Sequence, residues 1–261
     1  MKSIYSYIKK NGVDNWMPEF DSHTHLWGIS DEVKKAERSV RFIFNPMKTS
    51  IDAAVLSLRR ADKKTGNDLL AGTGNTTGQL LRVMKDDRFD AIGEVIINKH
   101  YTEYSGKVTA EHLVWKPELF EALLDEKRPI YIHFDLVREE AVNENLERFL
   151  QLHDGPVVLC HCGLNRESGL PYKEAFDKFM NMQADYSNLW GEISWDCMDW
   201  IMSAEENGRR GPVIAERMIA GTDLTPYDSL LQEKKRAWQL AYLDKLSEGK
   251  LSRNTAELFG I

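Results

Sequence analysis

Short apolar runs alternate along this chain with stretches in which apolar residues recur every three or four positions. The runs have the length of strands and the stretches have the period of helices. Eight such pairs emerge. Phe20–Trp27 is the first expected strand. Val40–Asn45 is the second, closed by Pro46, with a helix from about Ser50 to Lys64. Asp68–Gly72 is the third, with Thr77–Asp86 as its helix. Ala91–Asn98 is the fourth, followed by a helix over Lys116–Lys127. Pro129–Phe134 is the fifth, followed by Arg138–Leu152. Val157–Cys162 is the sixth, and its helix runs from Pro171 to Met182. Pro171 suits a first turn because its missing N–H is not needed there. Leu189–Ser194 is the seventh, with an irregular helical stretch after it. Met218–Thr222 is the eighth, and Ser229–Lys245 begins a closing helix.

Strand–helix alternation of this kind indicates parallel strands joined by helices. The chain has 261 residues, close to the typical size of about 250 for a (β/α)8 TIM barrel. No shift in composition and no internal repeat marks a linker, so Met1–Ile261 reads as a single barrel domain. The rival is a doubly wound open sheet. That fold needs a topological switch point and usually a glycine-rich phosphate loop. The chain has no GxGxxG or P-loop motif, and Gly72-Thr73-Gly74 is too short to count.

Composition narrows the class. Hydrophobic residues make up 42% and charged residues 29%, so a large core can form and disorder is not expected. The net charge of −7 argues against nucleic acid or anionic membranes as general partners. Cys160, Cys162 and Cys197 are too few, and odd in number, for a disulfide framework, which fits a reducing compartment. Met1–Asn11 lacks the apolar segment of a signal peptide. No run approaches the roughly 18 apolar residues that span a bilayer. The expectation is a cytoplasmic protein with a small-molecule substrate and no membrane partner. Homo-oligomerisation stays open.

Candidate chemistry gathers at the ends of the apolar runs. His23 and His25 are separated by one residue on a strand, so both imidazoles point to one face. Glu94 lies within the fourth expected strand, His133 near the end of the fifth, His161 near the end of the sixth, and Asp223 just past the eighth. The mouth of a parallel barrel collects the C-terminal ends of its strands. Imidazole nitrogens and carboxylate oxygens are ligands for zinc and similar divalent ions. Each residue alone has a bland reading. A single strand histidine is usually a hydrogen-bonded core or surface group, and Asp223 could cap a helix. Glu94 is different, because an unpaired buried carboxylate is costly. The joint pattern favours a metal site. If His161 points inward along a strand, Cys160 and Cys162 point outward, and both read as small packed hydrophobes. His153 ends an expected helix, where a partly cationic imidazole suits the dipole. His100, Arg138 and Arg166 follow inward strands and are candidate substrate contacts, with solvated loop charge as the default.

The segments Asp21-Ser22-His23-Thr24-His25, Ile132-His133, His161-Cys162-Gly163 and Gly221-Thr222-Asp223 resemble, in order, those of the amidohydrolase superfamily of metal-dependent hydrolases. The ending Asn254–Gly260 is similar to that superfamily's C-terminal helix. The first segment and Ile92-Gly93-Glu94 resemble the TatD-like branch. The His-Cys-Gly and Gly-Thr-Asp segments are closer to the amidohydrolase-2 branch, which includes decarboxylases and lactonases.

The resemblance implies that His23, His25 and Asp223 hold one metal, with His133 and His161 holding or flanking a second. Glu94 stands in the region where other members carry a bridging carbamylated lysine, so one or two ions fit, with zinc favoured. A bound divalent metal lowers the pKa of its water to about 7. In this scheme Asp223, the catalytic base, takes the proton of the attacking water and delivers it to the leaving group. His161 or His133 steadies the oxyanion where it is not a ligand. The expected activity is hydrolysis of a small amide, lactone or ester. The alternatives are a non-oxidative metal-dependent decarboxylase, a TatD-like phosphodiesterase or nuclease, and an inactive metal-binding barrel used as an interaction module.

Overall fold

The computed structural model describes residues 84, 91–98, 117–138, 140–164, 170–206, 216–221 and 230–259. Strands and helices alternate through them: β1 (Ile92–Asn98), α1 (Pro117–Leu124), β2 (Ile130–Phe134), α2 (Glu140–Leu152), β3 (Val157–Leu159), a 3-10 turn (Cys160–Gly163), α3 (Tyr172–Asp185), β4 (Leu189–Ile193), α4 (Trp195–Glu206), β5 (Met218–Ala220), α5 (Leu230–Leu246) and α6 (Lys250–Phe259). β1–β5 are the fourth to eighth strands expected from the sequence. The first three expected strands, and with them any barrel closure, lie outside the described residues.

The five strands form one sheet in the order β1-β2-β3-β4-β5. Every neighbouring pair is parallel. A barrel lays its strands side by side in chain order, whereas a doubly wound sheet reverses at a switch point. No such reversal occurs among the described strands.

Side-chain alternation divides the sheet into two faces. Ile130, Ile132 and Phe134 of β2, Val157 and Leu159 of β3, Leu189 and Ile193 of β4, and Met218 and Ala220 of β5 share one core with Leu146, Phe149, Phe179, Met198 and Ile201 of the helices. Tyr131, Val158, Trp190 and Ile219 belong to a second cluster, joined by Ala91, Cys160 and Leu258. All five residues of β2 and all five of β4 are buried, so the sheet is covered on both sides, as parallel sheets require. Each fully buried Leu, Ile or Phe contributes about 1.5–3 kcal/mol. His133 and Glu192 alternate with the helix-facing residues and so share the second face with Tyr131 and Trp190.

Local contacts set the spacing of these layers. In α2 the buried stripe is Asn143, Leu146, Phe149 and Leu150, a helical period. Asn143 also pins the β2–α2 connection: its Nδ2 donates to Val137 O (2.9 Å) and its Oδ1 accepts from Val137 N (3.2 Å). Gly191 lets α3 approach the sheet. A Cβ there would overlap Phe179 Cζ and lie 2.9 Å from Phe179 Cε1 and 3.1 Å from Cys162 Sγ. α3 begins one residue after Pro171, whose carbonyl accepts from Ala175 N at 3.0 Å. α6 covers the segment expected to be the C-terminal helix. Asn254 Nδ2 ties it to Met218 O of β5 at 2.7 Å.

The sixth expected strand, Val157–Cys162, is shorter than the apolar run suggests. β3 ends at Leu159, and His161, Cys162 and Gly163 take left-handed φ of 56°, 52° and 70°. Two non-glycine residues in that region cost roughly 1–2 kcal/mol each. The strand alternation used to orient His161 against its two cysteines therefore does not apply. What holds the turn is the carboxylate of Glu192, which accepts the His161 backbone N–H.

Candidate functional site

The C-terminal ends of β2, β3 and β4 lie next to one another in the sheet, so residues just beyond them meet. His133 is the fourth residue of β2, and Asp135 follows the strand. His161 sits in the turn after β3. Glu192 is in β4, Ser194 follows it, and Trp195 opens α4. His133, Asp135, His161, Glu192 and Ser194 are all buried. The two imidazole rings stand edge to face with centroids 4.9 Å apart.

Two hydrogen-bond networks orient these rings. His133 Nε2 lies 3.0 Å from Asp135 Oδ1. His161 Nδ1 lies 2.6 Å from Ser194 Oγ. Ser194 Oγ donates to Glu192 Oε2 at 2.7 Å. The same oxygen accepts the His161 backbone N–H at 3.0 Å. Glu192 is 0% exposed, and desolvating a carboxylate costs several kcal/mol. Hydrogen bonds to a charged group return about 1.5–3 kcal/mol each. One of them requires the His161 N–H to turn toward β4, which is the physical reason for the left-handed turn.

Trp195 differs from its neighbours. It is 48% exposed, has a left-handed φ of 41°, and places its ring centroid 6.2 Å from that of His161. A bulky residue in that backbone region is strained. Trp195 sets a half-exposed aromatic ring beside buried His161.

Of the residues singled out in the sequence, the structure brings His133 and His161 together. Glu94 has its backbone in β1, one position before Val95, which pairs with Ile132, while Ile96 pairs with His133. Register irregularities fall between Ile92 and Val95 and again between Ile96 and Asn98. Arg138 is exposed on the β2–α2 connection. His23, His25, His100, Arg166 and Asp223 lie outside the described residues. Among the described residues, no group of three or more His, Cys, Asp or Glu side chains could by itself hold a metal ion. In kind, the donors suit one. A metal-ligating histidine typically gives its other ring nitrogen to a carboxylate or similar oxygen, which is the arrangement at both rings. Such a site would need further donors, and the candidates His23, His25 and Asp223 lie outside the described residues.

The three cysteines are buried and none is in a disulfide. Cys160 belongs to the second-face cluster, while Cys162 and Cys197 belong to the helix-side core. Cys162 Sγ donates to Glu192 O at 3.5 Å. Burial, with Cys197 beside it, pushes the Cys162 thiol well above its ordinary range, which disfavours a thiolate ligand.

His153 departs from expectation. It was expected to be partly cationic at a helix end. Instead it is buried, its ring stacks on Phe149 with centroids 5.0 Å apart, and burial lowers its pKa. Desolvation outweighs the Leu124 carbonyl and the Asp154 and Glu126 carboxylates, which favour the cation.

Sequence reasoning missed Asp135, Glu192, Ser194 and Trp195. The signals were present for three of them. Asp135 stands two residues after His133, the same spacing that marked His23 and His25. Glu192 is a lone carboxylate in the apolar run Leu189–Ile193, as Glu94 is in its own strand, and Ser194 is two residues further on. Nothing in the sequence marks the backbone of Trp195.

No protein-family model matches the chain, and no curated protein matches it. No described helix is long and apolar enough to cross a membrane.

Proposed function

We propose that this chain is a metal-dependent hydrolase of the amidohydrolase type, acting on a small amide, lactone or ester at the mouth of a closed (β/α)8 barrel. The observation that carries the reading is the pair of buried, edge-to-face imidazoles at the ends of β2 and β3. Each is held at one nitrogen by an oriented oxygen. Burying two histidines and two carboxylates together is costly as packing alone. The sequential parallel order of β1–β5 supports the barrel.

His133 and His161 would take part in holding one or two divalent ions, zinc foremost, with His23, His25, Asp223 and Glu94 supplying the other donors. Such an ion, when bound, supplies a water of pKa about 7 and polarises a substrate carbonyl. The chain's own groups do the rest. The Asp223 carboxylate takes the proton from water and returns it to the leaving group. Asp135 and the Ser194–Glu192 pair keep the two rings fixed, so no reorganisation accompanies the reaction. Trp195 offers a face on which an apolar part of a substrate rests.

The test is hydrolysis of a panel of small amides, lactones and esters by the untreated, chelated and zinc-restored protein. The reading expects activity that is lost on chelation and regained with zinc. Asp223→Asn should abolish turnover while leaving some metal bound. Full activity in that variant removes Asp223 from the mechanism. Carbon dioxide release from aromatic carboxylates without any hydrolysis would replace this reading by the decarboxylase.

A further inference from the structure

Among the described residues, Leu152, Trp195 and Leu246 are large apolar side chains left exposed. Leu152 and Leu246 close α2 and α5, where a helix end meets solvent as a matter of course. Trp195 follows β4 and opens α4, at the C-terminal end of the sheet, with its ring centroid 6.2 Å from that of His161. Two costs meet at this residue. Its side chain stays 48% exposed, so much of the favourable burial of an indole is forgone. Its φ of 41° lies in a region that bulky residues avoid. Such strain persists only where the surroundings impose it, and it clusters at active sites and ligand clamps. Here the Trp195 carbonyl accepts from Arg236 Nη1 of α5 at 2.9 Å. Asp199 of α4 holds the same guanidinium nitrogen at 3.4 Å. On the other side of the residue, the Ser194 carbonyl accepts from Met198 N at 3.1 Å. The backbone is thus fixed from both sides, and about half of the side chain is left uncovered beside a buried histidine.

We propose that Trp195 is a specificity-determining residue whose indole is the platform for a flat apolar ring bonded directly to the substrate's carbonyl. Two features set that class. An indole face favours a flat aromatic ring over a puckered one, because offset stacking adds to plain burial. The indole also stands close to His161, so a group resting on it lies near the reacting carbonyl rather than at the end of a long chain. The carbonyl rests on the hydrolase reading. The platform does not, because it follows from the exposure, strain and position of Trp195.

The probes are benzamide and cyclohexanecarboxamide, which share the amide and differ in the flatness of the ring. Each is added to the whole chain labelled with 15N-tryptophan, and the indole N–H signals are followed. The signal missing from Trp195→Phe belongs to Trp195. Benzamide should shift that signal and bind wild type about 2–10-fold more tightly than cyclohexanecarboxamide. Trp195→Phe, which keeps an aromatic face, should retain most of the preference. Trp195→Asn should lose it, and asparagine tolerates the left-handed backbone. An unshifted Trp195 signal, equal binding of the two amides, or a preference kept in Trp195→Asn overturns the proposal. Should Trp195→Asn fail to fold, the wild-type titration decides alone. A preference for benzamide that depends on Trp195, with no hydrolysis of any amide, lactone or ester, removes the hydrolase reading and leaves the platform standing. Hydrolysis that treats phenyl and cyclohexyl substrates alike keeps the hydrolase and overturns the platform.

Discussion

Gly191 shows how a single missing methyl sets the distance between α3 and β4. The Phe179 ring occupies the space a Cβ would fill, and Cys162 Sγ is beside it. Gly191→Ala forces a fully buried ring aside, an overpacking cost of about 1–3 kcal/mol. The urea midpoint should fall with unchanged m-value. A midpoint equal to wild type would mean that Phe179 repacks freely. His153 gives a prediction of a different kind. Its folded pKa lies below the unfolded value of about 6.5, mainly because burial penalises the cation. The unfolded state therefore binds the proton first. Stability from the neutral ring is complete above pH 6.5 and is lost as pH falls through the folded pKa. Whatever His153→Gln costs at pH 8, its midpoint should fall less steeply between pH 7 and 5. Parallel slopes for wild type and variant would contradict the assignment. Residue-level chemistry was legible where residue type alone carried it, as for His133 and His161. At Asp135 and Ser194 the spacing from His133 and Glu192 is a signal only in hindsight, because both are ordinary loop residues until the strands bring them beside the rings.

At the scale of elements, the apolar runs marked strands well because each face of this sheet is buried and the side chains read as continuous hydrophobics. They marked ends poorly. Cys160 and Cys162 extend the apolar run past Leu159, yet the backbone turns there to reach Glu192 in a strand some thirty residues on. No local preference announces a left-handed histidine. Two helix joints rest on carboxylates. Asp199 of α4 accepts from Lys235 (3.0 Å) and Gln239 (2.9 Å) of α5, with Arg236 at 3.4 Å. Burial would raise its pKa, but Arg236, Gln239 and Lys235 together hold the carboxyl below its usual value. Asp244 of α5 accepts from Ser252 N (2.9 Å) and Ser252 Oγ (2.7 Å), clasping α6 across the Ser247–Gly249 turn. Asp244→Ala should cost about 1.5–3 kcal/mol. Amide exchange should quicken in Lys250–Phe259 more than in β2–β4. Unchanged protection in α6 would show that Leu258 and Asn254 hold it without the clasp.

At the scale of the whole molecule, strand order is the observation that bears on function. Five parallel strands in chain order bring the ends of β2, β3 and β4 side by side, so residues far apart in sequence meet without any local motif joining them. The sequence carried that order in its strand–helix alternation. It could not carry the hydrogen bonds, because these depend on where each strand stops. We propose that this collection of strand ends, completed by His23, His25 and Asp223, encloses a divalent cation. The most direct test is the metal content per chain of the untagged protein, measured for wild type, His25→Asn and His133→Asn. One or two equivalents are expected in wild type, with a fall in both variants. A wild type without bound metal, or a content unchanged by either substitution, would contradict it.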